Sequence, residues 1–123
     1  MVLQDAGLFM ALNDLIAAIS LPHVSTVNCA RAIEGLRHLI ASTGSSDKQA
    51  WEQMRQALQI DKAYLKLITD SSAASRHGNR VHVPGSVTTE ITRRSWIIMN
   101  RYFEYRKRGN RVLLLTDFPL LKG

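Results

Sequence analysis

The sequence predicts an all-α protein. The architecture expected is an antiparallel helical bundle of four main helices plus a short one, with an irregular central loop and an extended C-terminal tail. Three observations carry this. Apolar residues recur at spacings of three and four through most of the chain. Helix breakers gather at a few places, around Pro22, Gly44 and the stretch from Gly78 to Gly85. Capping residues stand next to those breaks, at Ser46, Asp61 and Gly109.

The first helix follows from Leu8, Leu12, Leu15, Ile16 and Ile19, which form one buried stripe, with Asp5 as its cap. It closes at Leu21-Pro22, because the residue before proline is pushed out of the helical region. A second helix is expected over about residues 24–42. Ile33, Leu36, Ile40 and the small residues Cys29 and Ala30 share its buried face, while Arg31, Arg37 and His38 do not. The short link through Pro22 makes it the antiparallel partner of the first. Glu34, near the stripe, either pairs with Arg37 or His38 at helical spacing or orients a residue of the central loop.

Ser42-Thr43-Gly44-Ser45-Ser46 reads as a linker. Ser46 and Gln49 make a capping box for a third helix with Trp51, Met54 and Leu58 on one side. Trp51 reads as a core anchor rather than a base-stacking platform. Asp61 caps a short fourth helix carrying Tyr64, Leu65 and Ile68, which ends at Asp70. Beyond the central loop, Ser86 or Thr88 caps the last long helix, with Glu90 in its first turn. Ile91, Trp96, Met99 and Phe103 make its stripe, widened by Ile98, Tyr102 and Tyr105. Arg106-Lys107-Arg108 and Gly109-Asn110 supply the basic last turn and the C′ glycine. The run 112–115 and Pro119 make the tail an extended segment over the bundle.

With 123 residues, the chain makes one domain, residues 1–123. Its 46% hydrophobic and 21% charged residues are those of a soluble globular protein. No apolar run approaches the roughly 20 residues of a membrane span, and no basic segment precedes an apolar block as in a signal peptide. Cys29 is the only cysteine. The expectation is a reduced, cytoplasmic protein without membrane contact.

The net charge of +6 is unevenly spread. Residues 1–70 hold six Lys/Arg against seven Asp/Glu; residues 71–123 hold ten against three. Eight of those ten are arginine, the side chain suited to bidentate phosphate contacts. The asymmetry points to RNA or another polyanion, or to a solvated basic surface. The four histidines (23, 38, 77, 82) lack the i, i+4 spacing of a helical zinc pair, and there is no C-x-x-C, so no metal and no cofactor is expected. No glycine-rich phosphate loop or nucleophilic triad is visible.

Chemistry concentrates in residues 70–86, where Ser71, Ser72, Ser75, Gly78, Pro84 and Gly85 argue against regular helix. Arg76, His77, Arg80 and His82 lie within seven residues there. Histidine takes a proton near neutrality, and arginine holds fixed positive charge where a phosphorane develops. Arg76 with His77 or His82 would thus suit metal-independent RNA cleavage, with Arg80 positioning the strand. Arg76 paired to Asp70, with ordinary polar histidines, is the plainer alternative.

Arg76-His77-Gly78-Asn79-Arg80-Val81-His82 resembles the R-x(4–6)-H signature of the HEPN superfamily, small all-α proteins. The segment Cys29-Ala30-Arg31-Ala32-Ile33-Glu34-Gly35-Leu36 looks like the acidic, alanine-rich helix that precedes the motif in some members, so the resemblance covers most of residues 5–108. It departs where Val83-Pro84-Gly85 follows His82, since members place that histidine at the start of a helix; this keeps Arg76-His77 as the other candidate pair. The resemblance implies metal-independent endoribonuclease activity at a composite site across a homodimer, or RNA binding without cleavage. Two non-catalytic readings stand beside it. Arg93, Arg94, Arg101, Arg106, Lys107 and Arg108 would hold nucleic-acid phosphates, or the basic half would dock an acidic protein partner.

Overall fold

The computed structural model describes residues 2–20, 25–76 and 85–123. Five helices are found among them and no strand: α1 (Val2–Ser20), α2 (Ser25–Ile40), α3 (Asp47–Leu58), α4 (Lys62–Arg76) and α5 (Gly85–Lys107). The all-α bundle is therefore the fold. None of these helices is long and apolar enough to cross a membrane.

Helix α2 is the hub, packing against each of the other four. Cys29, Ala30, Ala32, Ile33 and Leu36 are buried on it, because small residues alternate with branched ones and let neighbours approach from several sides. Its pairing with α1 is antiparallel and close. A Cβ at Gly7 would lie 3.1 Å from Leu39, and one at Gly35 would lie 3.5 Å from Ala11, so residues 7 and 11 face residues 39 and 35. From α5 the core receives Ile91, Ile98, Met99 and Tyr102, and from α3 and α4 Met54, Leu58, Leu65 and Ile68.

Local signals fix most boundaries. The α3 capping box is formed: Gln49 N donates to Ser46 Oγ at 3.2 Å, and Ser46 N donates to Gln49 Oε1 at 3.0 Å. Tyr64 N donates to Asp61 Oδ1 at 2.7 Å and so caps α4. Helix α5 ends in a Schellman motif, with Gly109 N on Arg106 O (3.1 Å), Asn110 N on Tyr105 O (3.0 Å) and Gly109 at φ +79°.

Three expectations are corrected. Helix α1 begins at Val2, so Asp5 lies inside its first turns rather than at the cap. Helix α4 is not short but continues through residues 71–76, because serine costs a helix only a few tenths of a kcal/mol and Ala73 and Ala74 offset it. Helix α5 starts at Gly85, which places Ser86 and Thr88 inside it. Thr89 and Thr92 return their hydroxyls to the carbonyls of Gly85 (2.9 Å) and Thr88 (3.0 Å).

The tail lies over the bundle, as expected, but is extended only on either side of a turn in which Asp117 N and Phe118 N donate to Leu114 O, and backbone bonds fasten it to the helices. Leu113 N donates to Ala57 O, Leu121 N to Gln59 O, and Asp61 N to Leu121 O, each at 2.9 Å. Leu113 is buried, and Phe118 and Leu121 pack against the core.

Candidate nucleic-acid interface

Helices α2, α3 and α4 leave a groove of about 490 Å³ between them. Helix α3 contributes Lys48, Trp51 and Arg55, spaced so that all three share a face; α4 contributes Lys62, Leu65, Lys66, Thr69 and Asp70, and α2 contributes Glu34. The capping box sets the first turn of α3 and therefore the position of Lys48, while the Asp61 cap does the same for Lys62. Lys48, Lys62 and Lys66 are exposed and Arg55 is half-buried; none forms an ion pair among the described residues. Trp51 is half-buried, and the Arg37 guanidinium lies over its ring at 4.7 Å from the centroid. Arg37 is itself buried, 3.7 Å from Asp47 and 3.2 Å from His38 Nε2, contrary to the expectation that it lies off the buried face.

Across α4 lies a shallower cleft of about 380 Å³, which shares Lys66 and Asp70 with the groove and adds Arg94 and Gly123. Arg76 is the last residue of α4, about 9 Å along the helix axis from Asp70. In register, position 76 falls within about 20° of positions 65 and 69. His77, Arg80 and His82 lie outside the described residues.

The α5 cations have other work. Arg93 makes a forked pair with Glu90, with Nε 2.8 Å from Oε1 and Nη2 3.0 Å from Oε2. Those hydrogen bonds hold the Glu90 carboxyl below its usual range. Arg94 stacks over the Tyr64 ring at 4.6 Å, donates to Tyr64 O at 3.2 Å and lies 3.7 Å from Glu90. Burial pushes the Tyr64 phenol above its ordinary range. Arg101 is only 9% exposed. Its Nη1 donates to Leu58 O (2.9 Å) and Gln59 O (3.1 Å), and its Nη2 to Pro119 O (2.7 Å). Assigning it to phosphate binding is corrected: it closes the C-terminal end of α3 and ties the tail to α5. Arg108 reaches Glu104 (3.4 Å), Asp117 (3.6 Å) and the Phe118 ring (5.0 Å). Arg106 is half-buried and Lys107 exposed. These cations do not form one free face.

Cys29 is buried beside Thr92, and burial raises its thiol pKa, which is the environment of an inert thiol. Among the described residues no group of three or more His, Cys, Asp or Glu is assembled.

Fold and groove together define a small helical domain with a mixed-charge surface site. The chain belongs to the family described as "Domain of unknown function (DUF8168) C-terminal domain", whose model matches residues 1–107. The tail that accepts from Arg101 thus lies beyond the matched part. No curated protein and no solved structure matches the chain.

Proposed function

We propose that this protein binds RNA through the groove between α2, α3 and α4, with Lys48, Arg55, Lys62 and Lys66 holding backbone phosphates. The observation that carries the reading is that these four cations surround one groove and form no ion pair among the described residues. A cation without an internal partner releases counterions when it meets a phosphate, and that release drives association. Fluorescence anisotropy with a labelled single-stranded RNA tests it. With four phosphate contacts, log K falls with log salt at a slope of about −3, since each contact contributes about −0.7. Lys62→Glu with Lys66→Glu should at least halve that slope and weaken binding more than tenfold. Binding that ignores both salt and this double variant would overturn the proposal.

A second reading, HEPN-like metal-independent cleavage, is favoured by one feature. Helix α4 runs unbroken from the groove to Arg76, so a strand held by Lys62 and Lys66 would be led toward Arg76, the first residue of the R-x(4–6)-H motif. That chemistry would need a second copy of the chain, for which the exposed Phe9 and Met10 of α1 offer an apolar contact. Cleavage that survives EDTA, leaves cyclic-phosphate ends and is lost in Arg76→Ala supports it. Intact RNA after incubation with the wild type removes it and leaves the binding proposal standing.

A further inference from the structure

We infer that the groove lodges one unstacked base of the bound strand against Trp51, and that it favours a base carrying an exocyclic amino group, with adenine and cytosine as the test cases, over uracil, which carries none. The inference rests on the RNA-binding reading above and gives that site its specificity.

Three observations carry it. The first is size: about 490 Å³ falls within the range of pockets that enclose a small molecule, and a single nucleotide fits it. A groove meant only to track phosphates has no need of that volume. The second is the aromatic wall. Trp51 is half-buried and contributes to the lining, and Arg37, buried and anchored beside Asp47, holds the ring from one face. An indole fixed in this way is ready to stack with little loss of side-chain freedom, and Leu65 adds an apolar flank.

The third is the mixture of charge. Asp70 and Glu34 line the groove together with the four cations. A ligand that was anionic throughout, such as polyphosphate, would be repelled by those carboxylates. A nucleotide supplies both halves of the match, because its phosphate suits the lysines and an exocyclic amino group donates to a carboxylate. Adenine N6, cytosine N4 and guanine N2 carry such a group. Uracil presents a carbonyl at the same place, which would face a carboxylate oxygen with no hydrogen between them. Thr69 lies beside Asp70, with its hydroxyl already within 3.4 Å of the Leu65 and Lys66 carbonyls, so the carboxylates carry the discrimination.

The test uses oligo(A), oligo(C) and oligo(U) of equal length and a matching duplex, read by anisotropy and by indole fluorescence. The chain has two tryptophans, so a Trp96→Phe background isolates the Trp51 signal. Expected are quenching of Trp51 by oligo(A) and oligo(C), about tenfold weaker binding of oligo(U), and weaker binding of the duplex, whose bases are already stacked. Asp70→Asn, at an exposed position, should raise oligo(U) affinity toward that of oligo(C). Trp51→Phe should keep the preference and Trp51→Leu lose it. Equal affinity for all three oligomers, or an Asp70→Asn profile identical to wild type, overturns the inference. If those results come with steep salt dependence, RNA binding stands and only base selection falls. If no oligomer binds, both fall.

Discussion

Helix α5 and the pair α3–α4 both carry cations at helical spacing, yet the two sets have different fates. On α5, Arg93 is held by Glu90, Arg94 by Tyr64, Arg101 by three backbone carbonyls, and Arg108 by Glu104, Asp117 and Phe118. On α3 and α4, Lys48, Arg55, Lys62 and Lys66 ring a groove without such partners among the described residues. The half of the chain with the large basic excess consumes much of it internally. Four cations of the half with a balance of −1, by contrast, gather around one groove and form no ion pair among the described residues. Charge density in a sequence measures how much charge is present, and only packing decides how much of it a ligand can reach.

The sharpest way to break this comparison is at Arg101. Arg101→Ala would leave the carbonyls of Leu58, Gln59 and Pro119 without their charged donor and open a void among buried residues. Hydrogen bonds to charged groups contribute about 1.5–3 kcal/mol each, and water can replace part of this at the α3 terminus. We expect a loss of about 3 kcal/mol, seen as a lower urea midpoint at unchanged m-value. Arg101→Lys should recover little, because one ammonium cannot fork to three acceptors. The folded variant should keep the salt dependence of RNA binding, whereas Lys62→Glu with Lys66→Glu should at least halve that dependence at nearly unchanged stability. An Arg101 variant of wild-type stability and weakened RNA affinity would reverse the assignment.

A smaller effect belongs to Arg108. It bridges the end of α5 to the turn in which Asp117 N and Phe118 N both donate to Leu114 O. Its side chain is partly exposed, so Arg108→Ala should cost no more than about 1 kcal/mol. Amide exchange should report the change locally, faster at Leu113 and Leu121 and unaltered in α2. Uniformly unchanged exchange would mean the tail is held without it.

These contrasts also show what the sequence could convey. Helix caps are local, and Ser46 with Gln49, Asp61 with Tyr64, and Gly109 are legible because partners lie within a few residues. The extension of α4 is hidden because serine's weak helix preference makes residues 71–75 resemble a break. The groove was hidden for a different reason. Its residues span positions 34 to 70 on three helices, and the surplus of four cations over two carboxylates is masked by the other acids of residues 1–70, where six Lys/Arg stand against seven Asp/Glu. Trp51 follows the spacing of Met54 and Leu58, which are fully buried, so periodicity alone makes it a core residue too. The interleaving of Lys48 and Arg55 with Trp51 was the available signal. Arg101 could not be told from its neighbours, because its acceptors are backbone carbonyls that sequence does not distinguish.

The mildest prediction concerns Glu90, whose carboxyl is held down chiefly by hydrogen bonds from Arg93, against its ordinary value of 4.5. A carboxyl with a depressed folded-state pKa stabilises the fold above its unfolded pKa, and that contribution fades as pH falls through the folded value. Glu90→Gln should therefore be less stable than wild type near neutrality, with the gap closing as pH falls below the ordinary carboxyl value of 4.5. Added salt should narrow it as well, because the pair is solvent-exposed. Asp14 supplies the opposite sign: burial raises its carboxyl, with Arg31 partly opposing, so Asp14→Asn should gain stability at neutral pH and lose that advantage in acid. Glu90→Gln also frees Arg93, which is 59% exposed. If α5 is outside the RNA interface, this new free cation leaves the salt slope of binding where it was; a slope steeper by about 0.7 would bring α5 into the interface and end the division between the two cation sets.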